Sequence, residues 1–282
     1  MNISNYMNEK IIAASPNDTV AYVRNLMLRN KISRVVIIEN DKVVGIITKK
    51  DIARNLAKKR AKWRRRPIDK ILISRIMSTN LITIEKNINL KRAARLMIEN
   101  GISSLIVVEN DSPVGIITKT DMVRAFYENF RGKFLVKDLM KRNLITASPF
   151  NTINHIVDLM EENRISRVLI TQNSKLVGIV TSTDLSFAFL EDTETGIRSR
   201  KIKYLRRPKE GGRAMLRVVE NLPIIVAEDI MTKEIITASP KQDAADAARV
   251  MVKKKISGLP VVEDDELVGI ITKTDIVRGM AK

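Results

Sequence analysis

Four aspartates, each closing one copy of a short motif, are the residues of this chain best suited to chemistry. The motif reads GIITKKD from Gly45, GIITKTD from Gly115, GIVTSTD from Gly178 and GIITKTD from Gly269. A carboxylate can accept two hydrogen bonds from a vicinal diol, and bonds to a charged acceptor are about twice as strong as neutral ones. The motif threonine stands where a strand would pass into a helix, and free N–H groups at a helix start favour an anion. The motif therefore indicates one polar binding site that is built four times.

The same threonine and aspartate spacing also has a purely structural interpretation. In a capping box, the threonine hydroxyl caps the helix and the acid three residues later bonds back to the threonine main chain. The two interpretations are compatible, and both stay open for the four pairs, which are Thr48 with Asp51, Thr118 with Asp121, Thr181 with Asp184, and Thr272 with Asp275. The glycine that opens each motif is typical of close main-chain packing in a strand.

Each motif ends a longer repeat, whose elements can be read in the second copy. A short apolar stretch, Leu81 to Ile84, predicts a strand. Asn89 is a helix-capping type ahead of an amphipathic run that stops near Gly101, and the other copies have Thr19, Thr152 and Asp243 in the same column. The methionine in the middle of each such run indicates a core position, and these residues are Met27, Met97, Met160 and Met251. Two β-rich runs, Leu105 to Val108 and Val114 to Thr118, flank a turn, and a second helix follows. The order is β-α-β-β-α in all four copies, which predicts an α+β fold.

Pairing of the repeats is expected, because one such unit covers its sheet on one face only and is small for a stable domain. The spacer lengths favour two pseudo-twofold modules, residues 1–130 and 131–282. The first would hold repeats of about 6–57 and 76–127 with a basic spacer at 58–75, and the second would hold repeats of about 139–190 and 230–281 with a basic insertion at 191–229.

Composition excludes several kinds of catalytic site. The 282 residues include no cysteine and one histidine, so thiolate chemistry is excluded and no transition-metal site is expected. His155 occupies a helix column that the other copies fill with Tyr22, Arg92 and Asp246, which predicts a surface position. Glycine-rich phosphate-binding loops of the known types are absent. We therefore expect a binding protein that is not an enzyme and requires no cofactor.

The compartment can also be predicted from composition. The first ten residues contain no apolar core of signal-peptide length, and no apolar run reaches the length that spans a bilayer. A chain without cysteine is compatible with a reducing compartment. We expect a cytoplasmic protein with no membrane partner, and whether two chains pair as a homodimer stays open.

The charge is strongly positive, at a formal +18 from 50 Lys plus Arg against 32 Asp plus Glu. Such a field attracts anionic partners. Two basic stretches, 58–66 and 198–213, carry Trp63 and Tyr204 among their charges. Basic residues interleaved with an aromatic can follow a phosphate backbone and stack on a base, so nucleic acid is one interpretation. A solvated crossover is a second interpretation, and a docking segment for a partner protein is a third.

A family resemblance is carried by the repeated Ile-Ser pair, the turn, the Gly-x-x-Thr-x-x-Asp ending and the element order. Together these features resemble cystathionine-β-synthase (CBS) domains, two of which usually form a Bateman module. Four copies in one chain are similar to the gamma subunit of AMP-activated protein kinase and its stand-alone archaeal relatives. The resemblance covers nearly all of the chain except the two basic spacers.

The resemblance implies that adenosine derivatives bind in clefts between paired repeats. The motif aspartates Asp51, Asp121, Asp184 and Asp275 would then hold the ribose. The residues implied to lie near phosphate are Thr48, Thr118, Thr181, Thr272, Arg34, Arg167, Lys50, Ser33 and Ser166. Adenine would lie against the segments around Ala13, Thr83, Thr146 and Thr237.

Several functions stay open on these grounds. The first is a regulatory sensor that binds AMP, ADP or ATP and relays occupancy to a partner, either a kinase or another enzyme. A second ligand class is S-adenosylmethionine and its relatives. A different function is nucleic-acid binding through the basic spacers. The last function is that of a fixed scaffold subunit whose clefts no longer bind a ligand.

Overall fold

The computed structural model describes five stretches of the chain, residues 1–49, 51–52, 68–110, 112–185 and 225–282. The basic stretches at 58–66 and 198–213 lie outside these residues, and so does Lys50. In the part of the chain that is described, no helix has the length and apolar character needed to cross a bilayer.

Repeat 2 has the predicted element order, and repeat 1 has it through its third strand, after which only the start of the second helix, at residues 49 and 51–52, is described. Repeat 1 contains β1 (Ala13–Ala14), α1 (Val20–Arg29), β2 (Arg34–Glu39) and β3 (Lys42–Thr48). Repeat 2 contains β4 (Thr83–Glu85), α2 (Leu90–Glu99), β5 (Ser104–Glu109), β6 (Ser112–Thr118) and α3 (Lys119–Asn129). The α+β prediction is confirmed, with the first strand of repeat 2 beginning two residues later than the predicted stretch.

Repeats 3 and 4 each begin with a short helix and then follow the same order as far as they are described, with one departure in repeat 4. Repeat 3 contains α4 (Val136–Leu139), β7 (Thr146–Ala147), α5 (Ile153–Glu162), β8 (Arg167–Gln172) and β9 (Lys175–Thr181). Repeat 4 contains α6 (Ala227–Ile230), α7 (Ala244–Lys253), β10 (Gly258–Glu263), β11 (Glu266–Thr272) and α8 (Lys273–Ala281). Here the predicted first strand is reduced to a single bridge residue, Ala238, so β10 and β11 form a two-stranded sheet.

The sheets place the motif threonines at a fixed position. In repeats 1 to 3 the first strand pairs in parallel with the second, which pairs in antiparallel with the third. The threonine that ends the third strand lies opposite the first residue of the second strand, which is Arg34 for Thr48, Ser104 for Thr118 and Arg167 for Thr181. The register thus sets which side chain stands beside each motif.

The helix ends follow their capping residues. The predicted caps Thr19, Asn89, Thr152 and Asp243 each accept a main-chain N–H of the first turn, which confirms them. After α2 the chain turns through Gly101 at φ +63°. After α1, α5 and α7, the equivalent helices of the other repeats, the chain turns at the same position through Lys31, Arg164 and Lys255. These residues also have positive φ, a conformation that long side chains rarely adopt. Only repeat 2 has the glycine that the pattern predicts there.

The chain forms two compact units. One unit comprises residues 1–141, 238–259 and 270–282, and the other comprises residues 142–237 and 260–269. The predicted module boundaries, 1–130 and 131–282, stay a prediction. Each unit has an aliphatic core, and the mid-helix methionines Met27, Met97, Met160 and Met251 are all buried, as expected of core positions.

The repeats exchange the segments that precede their first strands, which we call leaders. The leader of repeat 1 (residues 1–8) bonds to repeat 2, where Asn8 and Ile116 exchange main-chain N–H···O bonds of 2.9 Å. The leader of repeat 2 (residues 71–78) returns the exchange through Ser78 and Ile46, at 2.9 and 3.0 Å. Each leader therefore completes the third strand of the other repeat.

The same exchange joins repeats 3 and 4. Lys141, after α4, pairs with Ile270 of repeat 4 through two main-chain bonds of 2.9 Å. Thr232, after α6, pairs with Ile179 of repeat 3 at 2.9 and 3.1 Å. Repeats 1 and 2 also share a small apolar cluster of Val36, Ile106 and Val108 between their sheets. The pairing of repeat 1 with 2 and of repeat 3 with 4 is confirmed.

The motif glycines should differ in how they tolerate a methyl group, because different atoms of the exchanged leader lie above them. A Cβ on Gly45 would lie 2.6 Å from Met77 Sδ, whereas a Cβ on Gly115 would lie 3.0 Å from the carbonyl oxygen of Asn8. We expect Gly45→Ala to destabilise by about 1–3 kcal/mol and Met77→Ala to relieve most of that cost, because a side chain is the main obstacle. Equilibrium urea unfolding of the single and double variants measures the coupling.

A matched double-mutant cycle in the other leader combines Gly115→Ala with Met7→Ala. Met7 Sδ lies 3.1 Å from the built Cβ of Gly115, but the Asn8 carbonyl stays in place after Met7 is truncated. Coupling there should be smaller than at Gly45 by at least about 0.5 kcal/mol. Strictly additive free energies in the Gly45 cycle would contradict this account of the motif glycine.

Candidate functional site

The threonine and aspartate of each motif form the same capping box in all four copies. The threonine hydroxyl donates to aspartate Oδ2 at 2.6–2.7 Å, and the threonine main-chain N–H donates to the same oxygen at 2.8–3.0 Å. The aspartate half of the box is therefore present in every copy, and in the first three copies the threonine hydroxyl also accepts the aspartate N–H at 3.2–3.4 Å. Because the fold engages Oδ2, a ligand at any of these carboxylates would have to use Oδ1.

The Oδ1 atoms of two of these aspartates are held very differently. Arg278 Nη1 donates to Asp275 Oδ1 at 2.8 Å, and the Asp275 side chain has 0% of its surface exposed. Helix α8, which carries Asp275, packs against α2 and α3 of repeat 2. Arg124 Nη2 lies 3.4 Å from Asp121 Oδ1, and the Asp121 side chain keeps 14% exposure. Asp121 is therefore accessible, and Asp275 is closed.

A cavity of about 450 Å³ opens beside Asp121. The leader of repeat 1 and the two residues after it supply most of the lining, and the first turns of α3 supply the rest. The lining residues are Ser4, Tyr6, Met7, Asn8, Glu9, Lys10, Asp121 and Arg124. The cavity thus combines the motif of one repeat with the leader of its partner.

Hydrogen bonds fix the leader in this position. The main-chain exchange between Asn8 and Ile116 holds the leader along β6, which ends at the motif threonine. Asn129 Nδ2, near the end of α3, donates to the Tyr6 hydroxyl at 2.7 Å. The Asn8 side chain accepts the N–H of Lys10 at 3.0 Å and shapes the following turn. The cavity wall is therefore tied to both ends of α3.

Arg34 reaches from repeat 1 towards the motif of repeat 2. Its Nη1 donates to the carbonyl oxygen of Ser103 at 3.0 Å. Burial lowers the pKa of the Arg34 guanidinium, and the nearby carboxylate of Asp121 opposes that shift. A cation so poorly solvated gains from an anionic partner. The structure thus brings Arg34 of repeat 1 close to Asp121 of repeat 2.

The serine of the repeated Ile-Ser pair has a main-chain role in every repeat. The carbonyl oxygens of Ser33, Ser103, Ser166 and Ser257 accept the N–H of the residue after the motif threonine, at 2.9–3.1 Å. This bond holds the start of the second helix against the second strand. Residue Ser33 is exposed and Ser166 is half-buried.

The remaining predicted site residues have varied positions. Arg167 is half-buried at the start of β8, and Lys50 lies outside the described residues. The positions implied to flank adenine, Ala13, Thr83, Thr146 and Thr237, are all exposed, and none of them lines the cavity beside Asp121. Their contact with a ligand stays a prediction.

Tyr6, Asn8, Lys10 and Arg124 line the cavity, although the motif pattern does not indicate them. One signal existed for Tyr6, since the other three leaders carry Ile76, Leu139 and Ile230 in its column. The acid–base spacing of Asp121 and Arg124, three residues apart on one helix, was a second signal. No sequence signal indicates that a leader crosses to its partner repeat.

The described residues contain no group of three or more His, Asp or Glu side chains arranged to hold a metal ion. His155 lies exposed on α5, which confirms its predicted surface position. The carboxylates of the motifs are engaged in capping boxes. The geometry at Asp121 therefore supplies cations, hydrogen-bond donors and an accessible carboxylate oxygen.

A model of the CBS domain matches four stretches of the chain, residues 3–58, 73–128, 136–191 and 226–282. Each of these stretches contains one of the four motifs. The chain is 26% identical over 286 aligned positions to the protein MJ1225 of Methanocaldococcus jannaschii, and the alignment covers 97% of this chain and 96% of that protein.

Solved structures show the same fold. The crystal structure of MJ1225, described as a candidate archaeal homologue of g-AMPK, matches with a TM-score of 0.78 over 100% of both chains at 24% identity. A conserved protein of Pyrococcus horikoshii matches with a TM-score of 0.69, over 99% of this chain and 100% of that chain, at 21% identity. At such identities the likeness concerns the fold.

The two contrasting aspartates should contribute unequally to stability. Asp275→Ala removes a helix cap and leaves Arg278 without its short ion pair, so we expect a loss of about 2–4 kcal/mol. Asp121→Ala removes a comparable cap and only a long contact to Arg124, so we expect about 1 kcal/mol. Equilibrium urea unfolding measures both. Asp158→Ala, an exposed acid on α5, is the control and should stay within about 0.5 kcal/mol. Equal losses in the free energy of unfolding for Asp121→Ala and Asp275→Ala would show that burial of the Asp275 ion pair does not add to stability.

Proposed function

We propose, from the premise that the chain belongs to the CBS-domain family, that it is a regulatory sensor of adenine nucleotides. Its four CBS domains form two Bateman modules, and AMP, ADP or ATP would bind in clefts between paired repeats. Occupancy would be relayed to a partner protein, and the chain itself would catalyse no reaction. The observation that carries the proposal is the cavity at Asp121, where an accessible carboxylate lies near the partly buried cation of Arg34.

The size and composition of that cavity suit a nucleoside. A volume of about 450 Å³ lies within the range of roughly 300–1,000 Å³ that is usual for small-molecule sites. Its wall offers the ring of Tyr6 and the side chain of Met7, which can contact the faces of a base. We propose that adenine lies against these leader residues in the cleft of repeat 2.

Asp121 would bind the ribose. Its Oδ2 stays in the capping box, and Oδ1 faces Arg124 at a distance of 3.4 Å. Because this contact is long and Arg124 is exposed over almost half of its surface, a ribose hydroxyl can replace it at little cost. A hydrogen bond from a hydroxyl to a charged carboxylate contributes about 1.5–3 kcal/mol.

Arg34 would bind the phosphate. Its guanidinium is poorly solvated, and it has five N–H donors, of which the carbonyl of Ser103 accepts one. A phosphate would compensate its lost solvation and raise its pKa. The same cation disfavours the positively charged sulfonium of S-adenosylmethionine. A nucleotide is therefore a better match than the methyl donor for this cleft.

The clefts should not be equivalent. Asp275 is closed by Arg278 and by the packing of α8, so a ribose there would first have to displace a 2.8 Å ion pair. The cleft at Asp121 needs no such rearrangement. We propose that it fills first, and that ribose binding at Asp51, Asp184 and Asp275 follows the same carboxylate chemistry where Oδ1 can be reached.

Isothermal titration calorimetry with adenosine, AMP, ADP, ATP and S-adenosylmethionine tests the sensor proposal. We expect Asp121→Ala to weaken nucleotide binding at the tightest site at least tenfold, because it removes a charge-assisted acceptor. Arg34→Gln should weaken ATP and ADP but leave adenosine unchanged. Asp158→Ala, which removes an exposed acid of equal charge, should change neither.

Three results would count against the proposal. The first is absence of binding of all five compounds at millimolar concentration, which would favour a scaffold subunit. The second is unchanged stoichiometry and affinity in Asp121→Ala, which would leave this carboxylate as a helix cap alone. Tighter binding of S-adenosylmethionine than of ATP would replace the nucleotide with the methyl donor as the ligand.

A further inference from the structure

A hydrogen bond between the leader of repeat 1 and the last residue of α3 joins two repeats beside the cavity at Asp121. Asn129 Nδ2 donates to the Tyr6 hydroxyl at 2.7 Å and to the carbonyl oxygen of Ala125, one turn earlier on α3, at 2.8 Å. Both N–H groups of the amide are thereby used. The Ala125 carbonyl can only accept, so it requires the NH2 group of Asn129 on this side.

The bond to Tyr6 is more than a helix end requires. Three other asparagines at helix ends donate to the carbonyl oxygen four residues earlier, each at 2.9 Å, and they are Asn30, Asn100 and Asn163. All three are exposed, and within the described stretches none of their side chains bonds to another repeat. Asn129 adds a bond to the leader of a different repeat, so local helix capping does not account for it.

Tyr6 itself departs from the pattern of its column. The corresponding residues of the other leaders are Ile76, Leu139 and Ile230, and the first two are buried at 5% and 8% exposure. Tyr6 is half-buried and lines the cavity. At this position the leader of repeat 1 is therefore held by a hydrogen bond where the other leaders use aliphatic side chains.

The chain after Asn129 runs directly towards repeat 4, through residues 130–135, which we call the connector. The ring of Phe130 stacks on the buried ring of Phe126 in α3, with centroids 5.1 Å apart and planes at 3°, and the ring of Phe134 lies 6.1 Å from that of Phe126. Aromatic pairs at such distances add stabilisation beyond the area that they bury. The connector therefore packs on the last turns of α3.

Repeat 4 binds the connector at the start of its first helix. Asp243 Oδ1 accepts the N–H of Ala245 at 2.8 Å and caps α7, while Asp243 Oδ2 accepts the N–H of Gly132 at 2.7 Å. The Ala244 N–H donates to the carbonyl oxygen of Phe134 at 2.9 Å. Gly132 has φ +75°, a conformation that favours glycine. The connector and the start of α7 thus share two hydrogen bonds within a single compact unit.

We propose that Asn129 is a positioning residue for the cavity beside Asp121, and that it couples the leader of repeat 1 to the docking of the connector on repeat 4. When the leader lies along β6, Tyr6 holds the amide of Asn129, and the last turn of α3 is a fixed base for the ring of Phe130. When the leader leaves β6, that turn loses its bond to the leader, and the connector loosens from the cap of α7. Docking of the leader and docking of the connector therefore stabilise each other.

A ligand in the cavity would act through this coupling, a step that rests on the proposed function. The ligand contacts the leader, so it binds the state in which the leader is docked and shifts the population towards that state. The same shift raises the population in which the connector is docked on repeat 4. Occupancy of the cleft of repeat 2 would thus change the order at the start of α7 without any contact between ligand and repeat 4.

Amide hydrogen exchange in the ligand-free chain tests the coupling, read by NMR at the N–H groups of Asn8, Gly132 and Ala244. Tyr6→Phe keeps the ring and removes only the hydroxyl. We expect it to speed exchange at all three groups by about threefold to tenfold, the equilibrium factor of one neutral hydrogen bond. Asn129→Ala should also speed exchange at these groups. The double variant should be no faster than Asn129→Ala alone, because both changes remove the same bond.

Asn100→Ala is the matched control. It removes the same kind of bond to a carbonyl oxygen four residues earlier, from an exposed asparagine at the end of α2. Exchange at Asn8, Gly132 and Ala244 should then match the wild type. If Asn129 only ended its helix, Tyr6→Phe would leave Gly132 and Ala244 at their wild-type rates. That result would overturn the coupling, and so would faster exchange at Asn8 alone.

The same measurement with AMP keeps this proposal separate from the sensor proposal. Saturating AMP should slow exchange at Gly132 and Ala244 in the wild type but not in Tyr6→Phe. If AMP does not bind the wild type, the sensor proposal fails, while the exchange rates of the ligand-free variants still decide whether leader and connector are coupled. Binding of AMP that leaves exchange at Gly132 and Ala244 unchanged would contradict a connection between the cavity and repeat 4.

Discussion

The main-chain exchange between leaders and third strands is the constraint on which the structure depends. A three-stranded repeat on its own leaves the outer edge of its third strand without partners, and unpaired main-chain groups near a core are costly. Asn8 completes β6 and Ser78 completes β3, so neither repeat of the first pair is finished without the other. Two-fold pairing follows from this exchange of hydrogen bonds. The apolar cluster of Val36, Ile106 and Val108 then packs between the two paired sheets.

The same exchange builds the candidate site. Because the leader of repeat 1 runs along β6, its following residues come to lie beside the aspartate that caps α3. A wall and a carboxylate that are more than a hundred residues apart in sequence thus form one cavity. The strand register adds the cation, since the start of β2 places Arg34 near the start of β5 in the neighbouring sheet, where it bonds to Ser103. The candidate site and the fold therefore use the same contacts, and Asp121 caps α3 with Oδ2 while its Oδ1 lies 3.4 Å from Arg124.

Local features of the fold could be predicted from sequence because short-range chemistry determines them. The caps at Thr19, Asn89, Thr152 and Asp243, the capping boxes and the buried methionine columns all involve residues within one turn or one helix face. The closure of Asp275 could not be predicted, since it comes from α8 packing on another repeat. The cavity residues Tyr6 and Lys10 were missed for a similar reason, as leader exchange has no periodic signature. The reduction of the first strand of repeat 4 to one bridge residue shows that the pattern of one copy does not guarantee each element in the next.

Leader exchange has a consequence for synthesis on the ribosome. The partner of Asn8, Ile116, is made 108 residues after it, which takes roughly 5–20 s at about 5–20 residues per second. During this interval the leader, with Ile3 and Met7 that are buried in the finished protein, has no strand to join. Slow elongation therefore lengthens the period in which the leader of repeat 1 lacks its partner strand.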